Sequence, residues 1–163
     1  MAGSGSEQRW HPRPYVVAAH GGSGASLVAR LLRATESLPD LLPAGAWAVI
    51  TARTTGDGLD AVLATSAVLP PDTDLVAVVL SGDAPLGPPA RLLAGLRLLP
   101  PELPVIWLPY VSAWRYGPAS PASASRSWRA AARDLVAGFA ASPEVTEPRT
   151  RSTQLLDHEG VPA

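Results

Sequence analysis

Four short apolar runs punctuate this chain at wide, regular intervals: "YVVAA" (Tyr15–Ala19), "AWAVITAR" (Ala46–Arg53), "DLVAVVLS" (Asp74–Ser81) and "PVIWLP" (Pro104–Pro109). None alternates polar with apolar residues. Continuous apolar runs suit strands covered on both faces, which is the condition of a parallel sheet. Segments with helical spacing separate them. "ASLVARLLRATESL" places Leu27, Val28, Leu31, Leu32 and Leu38 opposite Arg30, Arg33 and Glu36. "LDAVLATSAVL" (Leu59–Leu69) and "ARLLAGLRLL" (Ala90–Leu99) each end at a Pro-Pro pair, and "RSWRAAARDLVAGFAA" (Arg126–Ala141) closes the series. Strands that alternate with helices predict an α/β three-layer fold with a mainly parallel sheet of about four strands and helices on both faces.

The remaining segments bound one domain. Residues 1–14 read as a flexible Gly/Ser- and Pro-containing lead, residues 15–141 as the domain and residues 142–163 as a disordered, Pro-broken tail. Hydrophobic residues make up 47% of the chain, enough for a core. The net charge of -1 gives no field for nucleic acid or anionic lipid. There is no cysteine, so disulfides and thiolate metal sites are excluded. No run is long enough for a membrane span and no signal-peptide core is present, so a cytoplasmic protein is expected. All 13 basic residues are arginine, and asparagine is absent as well, a bias of GC-rich coding. That bias matters at sites where lysine has a chemical role that arginine does not fill.

"VVAAHGGSGASLVARLL" joins the first run to the first helix through a glycine-rich turn. Glycines let backbone approach a phosphate, and a helix N-terminus supplies free N–H groups and partial positive charge. His20, Gly21, Gly22, Ser23, Gly24, Ala25 and Ser26 are therefore candidate phosphate or nucleotide contacts, with Ser26 also a candidate Mg²⁺ ligand. The lysine that normally reaches the β/γ-phosphates of such a turn is missing. A tight strand-to-helix turn with no ligand is the competing reading.

"HGGSGAS" resembles the deviant Walker A turn of the MinD/ParA family of P-loop ATPases, Lys-Gly-Gly-x-Gly-Lys-Ser/Thr. Gly21, Gly22, Gly24 and Ser26 match; His20 and Ala25 stand where that family has its two lysines. "AWAVITARTTGDGLDAV", "DLVAVVLSGDAP" and "VIWLPYVSAWRYGPAS" are similar, in order, to later segments of the family that surround the nucleotide base. The chain also resembles a group of small actinobacterial proteins at Arg53, Asp83, Ala84, Pro85, Pro109, Trp114 and Arg115. The family places a strand bearing a catalytic Asp between the P-loop helix and the next strand. Here "PDLLPAG" (Pro39–Gly45) is too short for that insertion, so the acid-bearing strand is expected to be absent. Phosphoryl transfer depends on positioning and charge neutralisation, so hydrolysis is expected to be lost.

Ligands of such folds gather beyond the C-terminal strand ends. Asp83 is a candidate nucleotide contact there, and Arg53 on the same edge is within reach of pairing with it. His20 reads either as a phosphate contact when protonated or as a packing residue. Tyr110, Trp114, Arg115 and Tyr116 crowd the loop after the fourth run and suit a protein-partner surface. Ser23 and Ser26 lack a His–acid pair spaced to activate them. The resemblance implies a P-loop NTPase-like version of the three-layer fold and a non-hydrolysing adaptor or regulatory protein, accessory to a plasmid, conjugation or secretion system, with a protein partner or a homodimer. ATP or ADP with Mg²⁺ is an optional ligand. Two readings stay beside it: a nucleotide-binding switch or weak ATPase completed by a partner, and an unrelated small α/β enzyme using Asp83 and Arg53.

Overall fold

The computed structural model describes residues 13–141 apart from Leu86, so the expected lead and tail lie outside the described residues except for Arg13 and Pro14. Five strands form one all-parallel sheet: β1 (Tyr15–Ala18), β2 (Thr35–Ser37), β3 (Trp47–Arg53), β4 (Asp74–Ser81) and β5 (Val105–Leu108), in the order β2-β1-β3-β4-β5. Four α-helices cover it: α1 (Ala25–Leu32), α2 (Gly56–Val68), α3 (Ala90–Gly95) and α4 (Arg126–Ala141).

Side chains that alternate along each strand feed two cores. Val16, Val49, Ala77, Val79 and Leu108 pack under α1 and α4, against Val28, Trp128 and Leu135. Ile50, Ala52, Val78 and Leu80 pack on the opposite face under α2 and α3, against Leu59, Val62 and Leu92. Burying each of these valines and leucines contributes about 1.5–3 kcal/mol. The direction of winding reverses between β1 and β3, and the helices change face with it, as right-handed crossovers require. That switch point lies between β1 and β3, whose carboxyl ends carry the glycine turn and Arg53, the edge at which ligands of such sheets bind.

The sheet has five strands rather than about four. The first helix was expected to run to Leu38, but α1 stops at Leu32. Arg33 adopts the left-handed conformation at φ 52°. Its N–H bonds Arg30 O, and the N–H of Ala34 reaches back 2.8 Å to Ala29 O, a Schellman-type stop. The released residues Thr35, Glu36 and Ser37 then pair with Tyr15, Val16 and Val17 as the edge strand β2. A strand does therefore occupy the interval between the first helix and β3. It carries an exposed Glu36, and its link onward is a 3₁₀ turn at Pro39–Leu41 instead of a helix. Leu42 from this link packs on Val17, Ala46 and Ala48, where a helix would otherwise sit.

The other helices shift at their ends. α2 begins at Gly56, before the expected Leu59, because the Thr55 hydroxyl caps it by accepting from Gly58 N–H at 3.0 Å. α3 gives way at Gly95 to a 3₁₀ turn at Leu96–Leu98, where the expected helix continued to Leu99. Two further 3₁₀ turns, Ser112–Arg115 and Pro121–Ser123, order the long loop before α4.

Candidate functional site

The β1–α1 turn is laced to β3 and β4 by side chains from the strand ends. Pairing of β1 with β3 runs one residue past the strand, with Ala19 N–H on Thr51 O at 2.9 Å. His20 comes next, and its ring is occupied on both sides. Its Nε2 accepts from the Arg53 backbone N–H at 3.1 Å, and its Nδ1 lies 2.9 Å from Gly21 O. These contacts assign the ring hydrogen to Nδ1. His20 therefore acts as a bolt between the turn and β3 in this conformation.

Gly22 and Gly24 have φ of +74° and +87°, a region that non-glycine residues rarely adopt. Ser23 N–H closes the turn on His20 O at 3.3 Å. Three successive carbonyls then point at protein donors: Gly21 O at His20, Gly22 O at Arg53 Nε (2.8 Å) and Ser23 O at the Ser81 hydroxyl (3.1 Å). The Ser23 side chain points inward and meets the Thr51 hydroxyl at 2.8 Å, with both residues buried.

Arg53 supplies the positive charge at this turn. Besides Gly22 O, its guanidinium Nη1 donates to Asp83 Oδ1 at 2.6 Å, the pairing expected from their shared edge. Asp83 is aimed by its own backbone, whose N–H donates to the Thr54 hydroxyl at 3.0 Å, while Thr54 N–H donates to Ser81 O at 3.0 Å. Both partners stay in water, with side chains 48% and 38% exposed. The cation therefore comes from the end of β3, and a carboxylate already neutralises it.

The remaining turn residues divide sharply. Ala25, which stands at a lysine position of the resembled motif, is 7% exposed and belongs to the core with Val28 and Ala29. Only its backbone N–H remains available to a ligand. That N–H and the one of Ser26 have no protein partner among the described residues, and the Ser26 side chain is exposed. No group of three or more His, Asp or Glu able to hold a metal ion occurs among the described residues, so a cation bound by Ser26 would depend on ligands from a bound nucleotide and water.

The aromatic loop splits into two parts. Tyr110 is half-buried, and its backbone runs against Gly82: a Cβ added at Gly82 would lie 2.5 Å from Tyr110 N. That contact ties the β5 end to the Asp83 loop. Trp114 is also half-buried, packed edge-on against Trp128 with ring centroids 5.0 Å apart, and its Nε1 donates to the Ser123 hydroxyl at 2.9 Å. It faces α4. Arg115 and Tyr116 are exposed, Tyr116 at 91%. Among the described residues no hydrogen bond or ion pair joins Trp114, Arg115 or Tyr116 to the glycine turn.

Sequence reasoning named Arg53, Asp83 and the turn but missed Thr51, Thr54 and Ser81, which lock them together. The available signal was a hydroxyl residue at the carboxyl end of an apolar strand, where a buried polar side chain needs a partner. Comparison with family models, curated proteins and solved structures finds no match.

Proposed function

We propose that this chain is a non-hydrolysing, P-loop-like adaptor or regulatory protein whose recognition edge is the glycine turn with Arg53 and Asp83. The Arg53–Asp83 pair carries this reading. Within it Arg53 clamps Gly22 O, and Asp83 meets the charge that phosphoryl transfer needs free at the transition state. Exposed Arg115 and Tyr116 supply an arginine fork and an aromatic face for a protein partner. The test is steady-state phosphate release from Mg-ATP. The expected rate equals the buffer rate and is the same in a Ser26→Ala variant. Release above buffer that Ser26→Ala abolishes would overturn the proposal.

The free N–H groups of Ala25 and Ser26 favour a second reading, a nucleotide-responsive switch in which a phosphate takes Arg53 from Asp83. Calorimetric titration with ADP and ATP, with and without Mg²⁺, separates the two. A switch binds nucleotide, and binds it more tightly in Asp83→Ala. A nucleotide-independent adaptor gives no heat in either protein.

A further inference from the structure

Between α1, the Pro121 turn and α4 runs an apolar groove of about 430 Å³. Leu31, Pro121, Trp128 and Val136 form its walls, and Val136 leaves 39% of its surface in water. Arg129 and Arg133 edge it one helical turn apart. Neither guanidinium has an ion pair among the described residues. An apolar floor beside two unpaired arginines suits an apolar segment that carries carboxylates.

The chain contains such a segment. The stretch "QLLDHE" (Gln154–Glu159) carries two leucines followed by Asp157 and Glu159, and residues 152–163 contain no arginine. It lies C-terminal to α4, whose Ala140 lines the groove. Thirteen residues separate Ala141 from Leu155. Extended, they reach about 43 Å, whereas α4 is about 24 Å long, so the segment can return to any point of the groove. A second copy seated groove-to-groove would oppose arginine to arginine across a two-fold axis, which disfavours that occupant. We propose that the groove is the docking seat of this chain's own Gln154–Glu159 segment, with Leu155 and Leu156 on the apolar floor and Asp157 and Glu159 toward Arg129 and Arg133. Tethering raises the effective concentration to the millimolar range, so a weak contact suffices.

The absence of cysteine allows a direct test in the full chain. A spin label is attached to the His158→Cys variant and amide signals are followed by NMR. Signals of residues 129–140 are expected to lose intensity, those of α2 to keep it, and the loss to disappear when Leu155→Ser and Leu156→Ser are added. Three results would overturn the proposal: no localised loss, loss that survives the double substitution, or loss in unlabelled-spin chains mixed with spin-labelled ones. The last would assign the groove to a second copy. Unchanged α2 signals in every sample confirm that the variants remain folded.

Discussion

The hydroxyls of Ser23 and Thr51 meet at 2.8 Å inside the protein, 28 positions apart in the chain. Neither has water as an alternative, with 2% and 0% of their surfaces exposed. Removing one partner leaves the other buried and unsatisfied. Ser23→Ala and Thr51→Val should each cost about 1–3 kcal/mol, and the double variant less than the sum of the two. Urea unfolding of the three variants checks this, and strict additivity would contradict the pairing.

Arg53→Ala breaks both its bond to Gly22 O and the pair with Asp83. An exposed pair contributes about 0–1 kcal/mol, so the melting temperature should barely move. Amide exchange at Gly22 to Gly24 should accelerate, because the turn loses a clamp. Asp83→Ala should loosen the turn less, since Arg53 keeps Gly22 O. Equal acceleration in the two variants would mean that the carboxylate, not the arginine, holds the turn.

Ala25→Lys is the direct way to rebuild the lysine turn, and it should fail. Ala25 lies in the core at 7% exposure, where a longer charged side chain finds neither space nor water. A loss on the order of 3 kcal/mol is expected, without gain of phosphate release. A stable variant that hydrolyses ATP would show that the side chain can leave the core.

Gly82→Ala places a methyl group against the Tyr110 backbone, which no rotamer change relieves. The β4 and β5 ends must then separate. The expected cost is about 1–3 kcal/mol, with chemical-shift changes at Asp83 and Tyr110 larger than elsewhere.

Trp114 gives a graded test of the aromatic loop. Trp114→Phe keeps a ring against Trp128 and drops the bond to Ser123 Oγ, an expected loss of about 1 kcal/mol. Trp114→Ala removes the ring contact as well and should cost about 2–4 kcal/mol. If both leave the melting temperature unchanged, the packing against α4 contributes nothing to stability.

The α/β alternation was legible because β1, β3, β4 and β5 are apolar on both faces, and that requirement writes itself into composition. β2 was not. Thr35, Glu36 and Ser37 include no apolar residue, and their strand character comes from pairing with Tyr15 to Val17 after Arg33 ends α1. An arginine in the left-handed region has no sequence signature, whereas a glycine there would have marked the stop. At the site, glycine spacing exposed the turn and a shared edge brought Arg53 and Asp83 together. For His20 the sequence left a phosphate contact and a packing role side by side, and the side-chain surroundings of His20 and Ala25 were not legible in the motif. Position in a motif says nothing about whether a side chain faces a ligand, a neighbouring strand or the core.

The clamps on the glycine turn are all distant in sequence: 33 positions from His20 to Arg53, 31 from Gly22 to Arg53 and 58 from Ser23 to Ser81. No hairpin in this sheet can assemble any of them early, because every strand pair is parallel. Each requires closure of a long loop before its bond forms. A peptide spanning β1 and α1 alone would carry every glycine of the motif and none of these long-range clamps. The long-range clamps need β3 and β4 docked beside β1, so order in the turn is expected to report assembly of those three strands.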